Sequence, residues 1–168
     1  AQGKGKVSFN DMVIKACAMA LREHPAINSS WMDKEGEIRR HRDIHVAMAV
    51  AIDEGLVTPV IRNTDFKGLS AIAAEARELA GKSRDRTLGL DEMEGSTFTT
   101  SNLGMLGIDD FTAIINPPNA CILAIGGIRD IPVVKDGAVV PGKRMTVTLS
   151  CDHRVVDGAV ADQFLAQV

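Results

Sequence analysis

The segment Asp152-His153-Arg154-Val155-Val156-Asp157-Gly158 has residue types and spacing suited to acid–base chemistry. An imidazole titrates near neutral pH, so a positioned histidine can take a proton from a reacting group and return it. An aspartate four residues later can hold the turn through backbone amides or an arginine. The competing reading is that His153 and Asp157 only cap and solvate the start of a helix. Average composition gives a His-x-x-x-Asp-Gly match in a chain of this length on the order of a per cent of the time.

A second grouping is Thr97-Phe98-Thr99-Thr100-Ser101-Asn102-Leu103-Gly104-Met105-Leu106-Gly107. Its hydroxyl side chains run into a glycine-interrupted turn, where donors could face a developing negative oxygen. An ordinary serine and asparagine turn would look the same. Gly104 and Gly107 form neither a G-x-G-x-x-G fingerprint nor a P-loop, so the segment does not predict a phosphate cradle. His24, His41 and His45 read as structural. No cysteine or second histidine stands at ligand spacing to join Asp152, His153 and Asp157, and no metal site is expected.

These groups need a frame, and the periodicities supply one. Phe9, Met12, Val13, Ala16, Cys17, Ala20 and Leu21 fall on one helical stripe. Ser8 caps that helix, Val7 and Met12 are spaced as a hydrophobic staple, and His24-Pro25 ends it. Ile44 to Ile52 alternates large side chains with alanines, a strand whose small face should receive a close neighbour. Leu56 to Ile61 reads as a second strand, with Pro59 marking an edge or a bulge. A helix follows from Ser70 to about Ala80, with Glu78 and Lys82 paired on its outer side.

The second half predicts strands at Thr97–Ser101, Phe111–Asn116, Ala120–Ile125, Ile131–Val134, Ala138–Val140 and Arg144–Cys151. Lys135-Asp136-Gly137 turns a hairpin between two of them. A last helix begins near Gly158 with Asp157 as its cap. Strands bracketed by helices predict one two-layer α/β domain over residues 1–168.

Composition narrows the function classes. The 168 residues are 45% hydrophobic and 24% charged, and 19 basic against 22 acidic residues leave a formal charge of -3. With no basic block, one Trp and no Tyr, nucleic acid is not an expected partner. No apolar run approaches the ~20 residues that span a bilayer, and no charged-then-apolar leader opens the sequence. Cys17, Cys121 and Cys151 are odd in number and lack C-x-x-C spacing, which predicts reduced, buried thiols.

Taken together, Asp152-His153-Arg154-Val155-Val156-Asp157-Gly158-Ala159, Ser101-Asn102-Leu103-Gly104-Met105, Ile114-Ile115-Asn116-Pro117-Pro118 and Gly55-Leu56-Val57-Thr58-Pro59-Val60 resemble the catalytic core of the dihydrolipoamide acetyltransferases of pyruvate dehydrogenase complexes. The likeness runs from Ser8-Phe9-Asn10-Asp11 through nearly the whole sequence, and His-x-x-x-Asp-Gly is shared with the wider chloramphenicol acetyltransferase-like superfamily.

The resemblance implies a two-layer coenzyme A-dependent acyltransferase fold, a mixed sheet with packed helices. It also implies homotrimers, which in the full protein build a hollow octahedral or icosahedral cage. The active site would be a channel between trimer neighbours, entered by coenzyme A at one end and a lipoyl arm, carried on a separate domain, at the other. On that pattern His153 is the base, Ser101 the donor to the oxyanion and Asp157 the motif aspartate, while Asn102 and Gly126 line the coenzyme A channel.

The implied reaction moves an acetyl group between a lipoyl thiol and coenzyme A, giving acetyl-coenzyme A. Decarboxylase and dihydrolipoamide dehydrogenase components would bind through domains outside this sequence. Ser101 to Met105 and Thr112 to Asn116 look closer to the acetyl branch than to succinyl or branched-chain relatives. The sequence holds no lipoyl or subunit-binding domain and reads as a core cut at both ends, without the upstream arginine expected to pair with Asp157. A non-catalytic scaffold of the same fold and an O-acetyltransferase acting on a small alcohol are the alternatives. The implied location is bacterial cytoplasm or mitochondrial matrix.

Overall fold

The computed structural model describes residues 6–168. Helix α1 covers Phe9–Glu23, and its entry is closed reciprocally: the Ser8 hydroxyl accepts from Asp11 N, while the Asp11 carboxylate accepts from Ser8 N at 2.7 Å. This capping box, rather than a Val7–Met12 staple, fixes the first turn. The buried stripe is also rotated from the expected one. Ile14, Cys17, Ala18 and Leu21 are buried, whereas Phe9 is 62% and Met12 41% exposed. The helix carries two apolar faces, and the one containing Ile14 meets the second helix and the turn Thr64–Phe66, onto which Lys15 Nζ donates through the Asp65 carbonyl at 2.7 Å.

The hairpin β1 (Ser29–Met32) and β2 (Glu37–Arg40) has no counterpart among the sequence expectations. Strand β3 (Val46–Ile52) is followed by β4 (Gly55–Val57) and β5 (Val60–Ile61), both antiparallel to β3 in one unbroken register. The break between β4 and β5 lies at Thr58-Pro59: Met48 N donates to the Pro59 carbonyl at 3.0 Å, but proline has no N–H to return. Helix α2 runs Leu69–Asp85, longer than its apolar pattern alone required, with Ile72, Ala73, Ala76 and Leu79 buried and Lys82 reaching Glu78 at 3.1 Å and Glu92 at 2.7 Å.

The main sheet continues with β6 (Phe98–Asn102), β7 (Cys121–Ile125) and β10 (Val147–Cys151). Its order is β10-β7-β6-β3-β4, with β3, β6 and β7 parallel and β10 antiparallel on β7. The strands β8 (Arg129–Lys135) and β9 (Ala138–Arg144) pair only with each other, through a turn at Asp136 and Gly137 that both adopt positive φ. Arg144 therefore belongs to β9, and β10 starts three residues later than its alternation suggested.

The expected strand at Phe111–Asn116 is absent; the segment is irregular and Ile114 is 91% exposed. The segment ends in the Pro117-Pro118 pair, which has no backbone N–H to give a ladder. It is tied to the sheet by Ser150 Oγ on the Ala113 carbonyl at 2.7 Å and by Asn116 Nδ2 on Thr99 Oγ1 at 3.4 Å.

Strand register assigns the two faces of the sheet. Val46, Met48, Phe98, Cys121, Leu123 and Ile125 face one way and join α1 and α2 in the core. Helix α3 (Gly158–Gln167) closes that layer with Phe164, fully buried with its ring centroid 5.6 Å from that of Phe98. The alanines of β3, with Thr99, Ser101 and Ala124, fall on the opposite face, which the irregular segment crosses. Truncating Phe164 removes the anchor of α3, so Phe164→Ala is expected to cost about 3–5 kcal/mol in chemical denaturation, with the midpoint shifted and the slope retained.

Candidate active site

Ser101 lies one residue before the end of β6, in register with Ala49 on β3 and Ala124 on β7. Two alanine neighbours leave its half-buried hydroxyl clear of large side chains on the helix-free face. Asn102 follows on the strand and so points to the helix side. Its side chain donates to Asn10 Oδ1 at 2.9 Å and accepts from Gly104 N at 2.9 Å, tying the β6 end to the first turn of α1.

Asn102 and Gly126 both line a cavity of about 330 Å³ between the start of α1 and the ends of β6 and β7, together with Phe9, Val13, Met105 and Met145. Gly126 is required there by packing. A Cβ on it would lie 1.8 Å from the Asp109 carbonyl oxygen, and its N–H donates to the Thr146 carbonyl at 2.9 Å. The apolar lining with a few amide groups fits a slender, neutral arm. Ser101 does not line this cavity.

His153 and Asp157 occupy the turn between β10 and α3. Asp157 caps α3, its Oδ1 accepting from Val160 N at 3.0 Å. The turn is tight: Val155 N and Val156 N both donate to the Asp152 carbonyl, at 2.9 and 3.0 Å, and Val156 is buried beneath it. His153 is exposed. Beside it Arg154 grips the Asp152 carboxylate through Nε and Nη2, at 3.0 and 2.7 Å, and holds that carboxyl below the usual aspartate range. Cys121 and Cys151, facing each other at the base of the turn, are free thiols 3.4 Å apart; donation to Cys151, together with burial, pushes the Cys121 thiol up.

Register decides which of these groups meet. Ser101 pairs with Ala124, and Ala124 pairs with Thr148 on β10. Because β10 runs antiparallel, His153 lies beyond Cys151 at the other end of the sheet. It is separated from Ser101 by two strand spacings and about 10 Å or more along the strands. One chain thus brings Asn102 and Gly126 together and His153 and Asp157 together, but holds Ser101 away from His153.

The remaining histidines have structural partners: His24 bonds Gln167, His41 bonds Ser30 Oγ at 2.7 Å and His45 Nδ1 accepts from Asn63 N at 3.0 Å. Sequence reasoning missed Asn10, Trp31 and Asp33. The Asp33-Lys34-Glu35-Gly36 turn, with Gly36 at φ +64°, was the available sign of the hairpin that presents the last two.

This mixed sheet, with helices on one face and separate polar clusters at its two ends, has the architecture of an acyltransferase core domain. The chain belongs to the family described as 2-oxoacid dehydrogenases acyltransferase (catalytic domain), which it matches over residues 1–168. It is 47% identical over 161 residues to the dihydrolipoyllysine-residue acetyltransferase component of the pyruvate dehydrogenase complex of Rhizobium meliloti, covering 96% of this chain and 36% of that protein. The mitochondrial component of Schizosaccharomyces pombe is 49% identical over 168 residues, 98% of this chain and 34% of that one.

The chain thus spans about a third of the length of these curated relatives. Among solved structures, the dihydrolipoamide acetyltransferase of Azotobacter vinelandii, whose catalytic mechanism has been probed at a serine, a histidine and an asparagine, superposes with a TM-score of 0.91 at 41% identity, over 96% of this chain and 67% of that one. The cubic core of the pyruvate dehydrogenase multienzyme complex matches with the same values.

The Gly126 contact gives a direct check. Gly126→Ala is expected to push apart the backbones at Asp109 and Gly126, lowering stability by about 1–3 kcal/mol or more in urea unfolding.

Proposed function

We propose that the chain is the catalytic domain of a dihydrolipoamide acetyltransferase, moving an acetyl group between a lipoyl thiol and coenzyme A. The observation that carries this reading is spacing. In the Azotobacter vinelandii enzyme the serine precedes the histidine by 52 residues and the asparagine follows it by four. Ser101, His153 and Asp157 stand at those intervals here.

A coenzyme A thiol resembles a cysteine thiol, with a pKa of about 8.5, and is mostly protonated at neutral pH. A neutral imidazole at His153 takes that proton. The thiolate adds to the thioester carbonyl of acetyl-lipoamide, and the tetrahedral oxyanion accepts a hydrogen bond from the Ser101 hydroxyl. As the intermediate collapses, the carbon–sulfur bond to dihydrolipoamide breaks and His153 returns the proton to the departing sulfur. Asp157 holds the turn by capping α3. The cavity lined by Asn102 and Gly126 receives the pantetheine arm of coenzyme A.

Since Ser101 and His153 of one chain stand apart, the site is shared between two copies, the serine from one and the histidine from its neighbour. A trimer supplies such a shared site at each of its interfaces. In the full protein these trimers form the core of a pyruvate dehydrogenase complex, a cage served by lipoyl domains and by the decarboxylase and dihydrolipoamide dehydrogenase components. Among the described residues no helix is long and apolar enough to cross a membrane. Such a core works in the bacterial cytoplasm or the mitochondrial matrix, a reading supported by its bacterial and mitochondrial relatives.

The test is acetyl transfer from acetyl-coenzyme A to dihydrolipoamide. His153→Ala is expected to lower kcat by about 10²–10⁴-fold, and Ser101→Ala by about 10²–10³-fold. Asp157→Asn keeps the cap and is expected to retain most of the turnover. Equal rates in wild type and His153→Ala would remove the histidine from the reaction, and transfer to a small alcohol but not to dihydrolipoamide would assign the O-acetyltransferase alternative.

A further inference from the structure

We infer that the β1–β2 hairpin, through Trp31 and Asp33, is a positioning device for His153, with Arg154 as the link between them. This rests on the assignment of His153 as the base. The hairpin grows from the end of the main sheet where the histidine turn lies. Ala120 N, just before β7, donates to the Ser29 carbonyl at 3.0 Å, and Ser30 bridges to Asn119. One residue just before β7 thus serves both elements, because the Ala120 carbonyl accepts from Asp152 N at 2.8 Å. The root of the hairpin and the root of the histidine turn share that residue.

A second connection closes a ring at the outer end. Arg154 uses its guanidinium on three sides. Nε and Nη2 form a fork on the Asp152 carboxylate, Nη1 reaches Asp33 Oδ1 at 3.1 Å, and the guanidinium carbon stands 4.9 Å from the Trp31 ring centroid. Asp152 Oδ1 also accepts from Arg154 N at 3.0 Å, so the carboxylate fixes both backbone and side chain of the residue after the histidine. Each contact is solvent-exposed to a degree that makes it worth little stability by itself. The geometry is what they share: the residues on both sides of His153 are fastened, to β7 on one side and to the hairpin on the other.

An exposed base on a turn has two backbone neighbours to hold it, and a misplacement of about 1 Å can cost on the order of 10²-fold in rate. Arg154 suits the task because its planar fork meets Asp152 in two places while one face lies on an aromatic ring; lysine offers neither. Trp31 and Asp33 touch no reacting atom in this scheme. They act through Arg154, and Arg154 acts through the backbone that carries His153.

The experiment compares steady-state kinetics and thermal midpoints of the assembled protein for Arg154→Met, Arg154→Lys, Trp31→Ala, Trp31→Phe and the Trp31→Ala/Arg154→Met pair, with His153→Ala as reference. The expected result is a fall of about 10-fold or more in kcat for Arg154→Met, Arg154→Lys and Trp31→Ala, with KM for coenzyme A within twofold and the midpoint little changed. Trp31→Phe, which keeps the ring face, should recover most of the rate, and the pair should be no slower than Arg154→Met alone.

Unchanged kcat in the Arg154 and Trp31 variants while His153→Ala is inactive would overturn the positioning role and leave the assignment of the base intact. A loss of kcat that tracks a falling midpoint and dissociation of the assembly would overturn it in favour of a structural role. An active His153→Ala would overturn both.

Discussion

The antiparallel return of β10 onto β7 constrains everything else in the molecule. Strands β3, β6 and β7 run together, so the chain end of β6, with Ser101, emerges at one end of the strands. The reversal delivers the turn after Cys151 to the opposite end. No side-chain rearrangement can shorten that separation, because it is set by backbone ladder bonds at the centre of the core. In the proposed reaction, the hydroxyl and the imidazole would come from two copies.

The two faces of the sheet follow the same logic. Large side chains on β3, β6 and β7 draw α1, α2 and α3 to one side, where Phe98 and Phe164 fill the core. The other side carries alanines and hydroxyls, and one irregular segment passes over it, held by single hydrogen bonds to Ser150 and Thr99. Ser101, half-buried near the end of β6, has the small residues Ala49 and Ala124 as its ladder partners.

Local signals were legible in the sequence wherever a single residue controls backbone geometry. Ser8, Pro59, Asp157 and the Asp136-Gly137 pair each specify a cap, a break or a turn, and each does so in the structure. Patterns failed where two solutions were equally apolar. α1 has two stripes and buries the one with Ile14, and Phe111–Asn116 has strand-like residues but runs irregularly into the Pro117-Pro118 pair. The hairpin holding Trp31 was missed because its outer strand, Glu37–Arg40, is exposed throughout and shows no alternation. At the site, residue types and motif spacing singled out Ser101, His153 and Asp157, but distance is a property of register. Nothing local to either motif says that they lie at opposite ends.

The sharing of the site between copies is tested most directly by mixing two defective chains. Ser101→Ala and His153→Ala proteins, each inactive alone, would be combined in equal amounts under conditions in which subunits exchange, with exchange confirmed by native mass spectrometry. A shared site predicts restored acetyl transfer at about one quarter of the wild-type rate, since about half of the serine donors and half of the histidine donors are intact at each interface of a symmetric ring. Mixed assemblies that form but stay as inactive as their parents would contradict the account, because the two residues would then have to act within one chain.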